Sequence, residues 1–519
     1  MNRTRREFLT DVGTGMLIAG IGAELANDLG LGSVLAADPP EKLTFGEMEP
    51  LVCMMQETPA DKLLPRLVEK MRDGADLKKL VAAAALANAR TFGGEDYVGF
   101  HTMMALAPAY HMAKEMPEGR QPLPIFKVLY RNSNRIQEYG GGKKEVLHPV
   151  KPGTLPEGKS GGDALRDAVH RKDMTKADQT FAALAKKSAE DAFNDLLIAV
   201  QECQEVHRVV LPHRAWALLP IIGKEHALTL LRQSVHYCVK NEGYSERYQP
   251  GRTALAKLFE QHRLLGRKLG KQALDDAAVD KLSQTIFKSK PEDAAGAVAE
   301  ALADGIAPDA IGEAISLAAN QLVLRDEGRP KGQTAPNKPI GSVHGDGIGV
   351  HACDSANAWR NMARVSNPRN TVACLILAAY QASKDRTDRT PHSDDFLKWQ
   401  PYPREDARTK VKTSDCDELL KQTEAAIKNK DQALACALVH AYGEKDFPAR
   451  CVFNLLLKYA VSEDGALHAE KYYRTVSEEF ASTRPAFRWR QLVALARVTA
   501  SEYGLAAPGH AESCKLLKV

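Results

Sequence analysis

The chain has 519 residues, with 70 Lys and Arg against 66 Asp and Glu and a formal net charge of +4. So balanced a charge over so long a chain leaves no basic stripe of the kind nucleic acid requires, and nucleic acid is excluded as a partner. A chain of this length with 44% apolar residues buries enough core to do without covalent staples.

The first element is a targeting segment. Thr4-Arg5-Arg6-Glu7-Phe8-Leu9-Thr10 sets two arginines before a Phe-Leu pair, and a Gly- and Ala-rich apolar stretch then runs from Val12 to Leu35. This order resembles the twin-arginine export signal, with small residues for cleavage near Ala36 or Ala37. The resemblance implies a signal peptide over 1–36, passage through the twin-arginine translocase, and a periplasmic or otherwise extracytoplasmic mature protein. Glu24, Asn27 and Asp28 break the apolar stretch, so no permanent membrane anchor is expected. Cleavage removes three arginines and four acids, which moves the net charge from +4 to +5.

Beyond the signal the sequence reads as helix. Leu63–Arg90, Phe181–Gln204, Ala294–Leu324 and Leu419–Ala441 place apolar residues three and four apart and are rich in Ala, Leu, Lys and Glu. Strand-like alternation of Val, Ile and Thr is almost absent, and the expected fold class is all-α. Internal echoes follow one order. Leu67–Ala75 (LVEKMRDGA) matches Val298–Ile306 (VAEALADGI), and Leu86-Ala-Asn88 matches Ala318-Ala-Asn320. Gly94–His101 (GEDYVGFH) matches Gly345–His351 (GDGIGVH). Lys176–Val200 resembles Leu420–Val439, and Leu211-Pro-His-Arg214 matches Phe447-Pro-Ala-Arg450. The predicted organisation is two related helical halves, 50–245 and 275–480, joined by a charged segment over 246–274 and followed by a C-terminal helical extension over 481–519.

Several chemistries lose their usual signals. Six of the nine cysteines (Cys203, Cys238, Cys353, Cys374, Cys436 and Cys451) sit in apolar helical stretches, where a thiol behaves as a small core residue. There is no C-x-x-C pair for zinc or haem. Gly158-Lys-Ser-Gly-Gly162 fits G-x-S-x-G but lies in a Pro/Gly/Lys loop with no strand before it. Gly345-Asp-Gly-Ile-Gly349 follows no strand and is not a dinucleotide fingerprint. A di-iron carboxylate bundle needs paired Glu-x-x-His motifs, and only Glu145-x-x-His148 is present.

The histidines are the informative residues. His101 and His351 follow a Gly-apolar dipeptide and an acidic residue at matching points of the two halves. Glycine allows a tight turn, and Asp346, Glu95 or Asp96 can cap the helix start, so the bland reading explains the Gly and the Asp. It leaves the histidine unexplained, because imidazole caps poorly. Facing each other across the two halves, His101 and His351 can hold a metal ion, or one can act as a base. His344, His207, His213 and His440 are further candidate ligands, and Asp354, one helical turn after His351, is expected to orient its ring.

Val350–Arg360 (VHACDSANAWR) is similar to a segment of the questin oxidase-like proteins, a family associated with oxidative cleavage of aromatic polyketide rings. The resemblance covers about ten residues and implies roles for His351 and Arg360. Two functions follow as expectations. The first is an exported metal- or cofactor-dependent oxidoreductase with its site between the halves, its cofactor a metal ion of unspecified identity, and Arg360 or Arg214 steering an anionic substrate. The second is a non-catalytic helical scaffold or ligand-binding protein.

Overall fold

Short polar side chains start many of the helices by accepting from free amides of the first turn. Asp76 accepts from Lys79 N at 2.7 Å, Asp96 from Gly99 N at 2.7 Å, Ser188 from Asp191 N at 3.0 Å and Asp415 from Glu418 N at 2.9 Å. Ser160 of the G-x-S-x-G match does the same, accepting from Asp163 N at 3.1 Å, and is a helix cap. The computed structural model describes residues 41–388 and 395–519, so the twin-arginine segment lies outside the described residues. Described residues are all-helical, with isolated bridges and no strand. None of their helices is long and apolar enough to cross a membrane.

The first set of helices is α1 (Glu49–Glu57), α2 (Ala60–Arg72), α3 (Leu77–Phe92), α4 (Tyr97–Glu115), α5 (Pro122–Tyr139), α6 (Gly161–His170), α7 (Met174–Leu184), α8 (Ala189–Val200), α9 (Val206–Ile222), α10 (Ala227–Lys240) and α11 (Gln249–Gln261). The second set is α12 (Asp276–Lys288), α13 (Pro291–Ala303), α14 (Pro308–Arg325), α15 (Ile348–Val365), α16 (Pro368–Thr387), the single turns α17 (Asp395–Lys398) and α18 (Glu405–Arg408), α19 (Cys416–Lys428), α20 (Gln432–Glu444), α21 (Ala449–Ser462), α22 (His468–Ser482), α23 (Trp489–Glu502) and α24 (His510–Leu517).

Packing relations recur between the sets. α3 packs on α4 and α4 on α5, as α14 packs on α15 and α15 on α16. α9 packs on α4 and α10, as α22 packs on α15 and α23. Across the middle, α9 meets α15 and α22 meets α4. The final helix of each set crosses over: α11 packs on α13 and α16, and α24 on α2 and α5. Residues from Phe45 onward form one compact unit, so the halves are not separate bodies.

One detail differs from the sequence matches. The likeness of Leu211–Arg214 to Phe447–Arg450 sets α9 opposite α21, whereas packing sets α9 opposite α22 and α8 opposite α21. The recurring packing relations include α23, which ends at Glu502.

Candidate functional site

Where α4, α9, α15 and α22 meet, each delivers one histidine from its first or second turn: His101, His207, His351 and His468. Ring centroids lie 4.9 Å apart for His101 and His207, 5.9 Å for His207 and His351, 5.3 Å for His351 and His468, and 5.1 Å for His468 and His101, which closes a ring of four. Each half contributes two members. The helices of His101 and His351 pack on their neighbours in matching ways, and so do those of His207 and His468.

Three of the four rings have their tautomer set by an acceptor that cannot donate. His101 Nδ1 donates to Tyr97 O at 2.7 Å, His207 Nδ1 to Glu205 Oε1 at 2.6 Å, and His468 Nδ1 to Ala466 O at 3.2 Å. Each of these Nε2 atoms therefore carries a bare lone pair. The Nε2 atoms of His101 and His207 are buried without a partner, while those of His351 and His468 lie 3.2 Å apart. Burial pushes the His351 imidazolium down to about 3, with His207 and Lys471 adding to it, and drives His101 and His468 far below the usual imidazole range. These three rings are neutral at pH 7.

Glu205 serves twice. It is the N-cap of α9, accepting from His207 N at 3.1 Å and Arg208 N at 3.0 Å, and its carboxylate also holds the His207 ring and the Tyr237 hydroxyl at 2.8 Å. Burial alone would raise its carboxyl, but the bonds from His207 and Tyr237 hold it down to about 2. Tyr97 and Phe100 form an aromatic wall, with centroids 4.4 Å and 5.0 Å from that of His101.

A cavity of about 450 Å³ leads to this ring from the loop before α15, with Glu205, Tyr248, His344, Asp346, His351 and Asp385 in its lining. A larger open groove of about 960 Å³ lies between α11 and α13 and meets none of the four histidines.

The glycines of His344–Gly349 do not act through unusual backbone angles, since none has positive φ. They permit close approach. A Cβ on Gly345 would stand 2.2 Å from His468 Cβ, and one on Gly349 would stand 2.7 Å from Val323 N. Asp346 caps nothing; it pairs with Arg329 at 2.9 Å and Lys338 at 2.5 Å. Glu95 pairs with His236 at 3.0 Å and Lys240 at 2.9 Å, and the cap in that half is Asp96.

The structure thus brings together His101, His207 and His351 from the expected residues and adds His468. It does not bring the others in. His440 lies at the surface, 3.4 Å from Glu444. His213 is buried beside Arg214, outside the ring, and His344 lines the cavity 3.6 Å from Glu502. Asp354 does not orient His351, because its Oδ1 accepts from Thr475 at 2.7 Å. Arg360 is bound by Glu479 at 2.5 Å and by Ser482 O at 3.2 Å, which leaves it no freedom to steer a substrate. His468 follows Glu463-Asp464-Gly465, an acidic and glycine context like that before His101 and His351, with two apolar residues instead of one between the glycine and the histidine.

Among the described residues no group of three or more His, Cys, Asp or Glu is arranged as a ready-formed metal site. The separations explain why: only the His351–His468 nitrogens have closed to 3.2 Å. Metal–nitrogen bonds of 2.0–2.1 Å at tetrahedral angles put ligand nitrogens about 3.3 Å apart, so that pair already has ligand spacing. No family model, curated protein or solved structure matches the chain.

Proposed function

We propose that His101, His207, His351 and His468 bind one transition-metal ion and that the protein is an exported, metal-dependent oxidoreductase. The observation that carries the reading is the ring of four imidazoles in which His101, His207 and His468 hold buried Nε2 lone pairs, those of His101 and His207 unpartnered. Buried acceptors left unmet cost free energy that a bound cation repays. Nδ1 bonds to Tyr97 O, Glu205 and Ala466 O are the outer contacts that fix ring orientation in metal sites. An all-imidazole set suits zinc, copper, iron or nickel, and copper or iron makes the site redox-active.

Three further features support the reading. The cavity gives a substrate a path to His351. The Arg5-Arg6 signal fits a cargo that acquires its metal before export. The likeness of Val350–Arg360 to questin oxidase-like proteins supports oxidative chemistry through His351, with Arg360 as a packing residue. The recurring helix contacts support an origin of the two halves by duplication.

Elemental analysis of untagged protein tests the proposal. About one copper or iron per chain, lost in H351A with the fold intact, is the expected result. Zinc alone would overturn the redox assignment, and absence of any stoichiometric metal would favour the scaffold reading.

A further inference from the structure

One to two helical turns below the imidazole ring three of the same helices supply a second polar layer. Arg214 follows His207 by seven residues on α9, Asp354 follows His351 by three on α15, and Lys471 and Thr475 follow His468 by three and seven on α22. These spacings keep each residue on the face of its helix that carries the histidine.

The layer is unbalanced. Lys471 is 3% exposed, and no side chain among the described residues bonds its ammonium. Arg214 is 1% exposed, donates only to Thr475 Oγ1 at 3.2 Å, and leaves its Nε unpartnered. The nearby carboxylates on these elements are Asp354, which is engaged by Thr475, and Glu478, which faces Arg214 as well as Arg474. Glu478 is taken by Arg474 at 2.7 Å, and Glu470 by Lys127 at 2.7 Å. Three cations, Lys471, Arg214 and Arg474, therefore share two carboxylates, Asp354 and Glu478, and a buried charge without a full counter-charge is among the costlier features a core can hold. Burial pushes the Lys471 ammonium down to about 8, against the pull of Asp354, so it still carries its charge at neutral pH. A metal ion among the histidines would add to the positive excess.

We propose that Lys471 and Arg214 bind one anionic group, a carboxylate or small oxyanion, next to the four histidines. This inference rests on reading those histidines as the functional site, and it specifies an anionic ligand there. Charge-assisted hydrogen bonds from an ammonium and a guanidinium suit such a group, and the unbonded Arg214 Nε supplies a second donor. Of the two arginines expected to steer an anion, the inference keeps Arg214 and releases Arg360.

The test is calorimetric titration of the full chain with sodium formate and with sodium benzoate at fixed ionic strength, in metal-free and cobalt-loaded protein. One saturable site for either anion is expected. Formate alone marks a site for a small free anion, and benzoate as well marks the carboxylate end of a larger ligand. K471M should weaken binding by about tenfold or more, and K471R should restore it, since a charged hydrogen bond is at stake. Cobalt uptake should survive in both variants, which separates this inference from the metal reading. Should K471M fail to fold, the wild-type titration decides alone. No saturable site for either anion, or equal affinity in wild type and K471M, would overturn the proposal.

Discussion

The two ends of α15 treat buried polar groups in opposite ways. Near its C-terminus, Arg360 has its charge paired: Nη1 donates to Glu479 and Nη2 to the carbonyls of Asp309 and Ser482, leaving Nε alone without a partner, and Glu479 also accepts from Asn357 at 2.9 Å. Near its N-terminus, His351 faces three other imidazoles of which two have no partner for Nε2. A network whose charges are paired within the chain serves the fold. Unmet acceptors on two helices, inside a ring of four imidazoles, are what a bound cation would meet.

That contrast can be broken from either end. The largest effect is expected at the satisfied end: R360M leaves Glu479 buried and uncompensated and should cost about 3–5 kcal/mol in denaturant unfolding, with metal content per folded chain unchanged. A smaller loss is expected where α22 meets the glycine loop. The Cβ of G345A would stand 2.2 Å from His468 Cβ, and such overpacking costs about 1–3 kcal/mol. Unlike R360M, it should also weaken metal retention, because His468 must move.

Acid should act on the unsatisfied end. In the folded chain His351 is held to about 3, below the 6.5 of a free ring. Between those two values the unfolded chain binds a proton that the native state refuses, so stability falls as pH drops through 6.5. The loss is about 1 kcal/mol per ring per pH unit. Thermal unfolding of metal-free protein at pH 7.5 and 5.5 measures it, and H351A should show a shallower fall. Equal slopes would contradict the neutral, buried ring.

How much of this was legible follows from which physics is local. Helix class came from three- and four-residue apolar spacing, which is a property of each segment. His101 and His351 were legible because a repeated Gly-apolar-His context separates them from incidental histidines. His207 was named but its partner Glu205 was not, although an acid two residues before a helix-start histidine is a local cue. His468 was missed although Asp464 and Gly465 precede it, because Ala466 and Leu467, both left-handed, lengthen the turn by one residue beyond the Gly-apolar-His spacing of His101 and His351. Asp354, Arg360 and His440 failed for one reason: spacing along a helix shows which residues share a face, while their actual partners Thr475, Glu479 and Glu444 are set by tertiary packing or surface position. The offset between α21 and α22 in the sequence matching has a similar origin, since an apolar Pro-x-Arg turn recurs more readily than a place in the packing.

The central claim is that four histidines from four helices make one metal site. Titrating metal-free wild type, H468A and H440A with cobalt(II), followed by visible d–d absorption, tests it most directly. The account predicts a break at about one equivalent in wild type and H440A, with the intensity of a low-coordinate site, and loss or marked weakening of that signal in H468A. Indistinguishable titrations of wild type and H468A, or no saturable signal in any of the three, would contradict it.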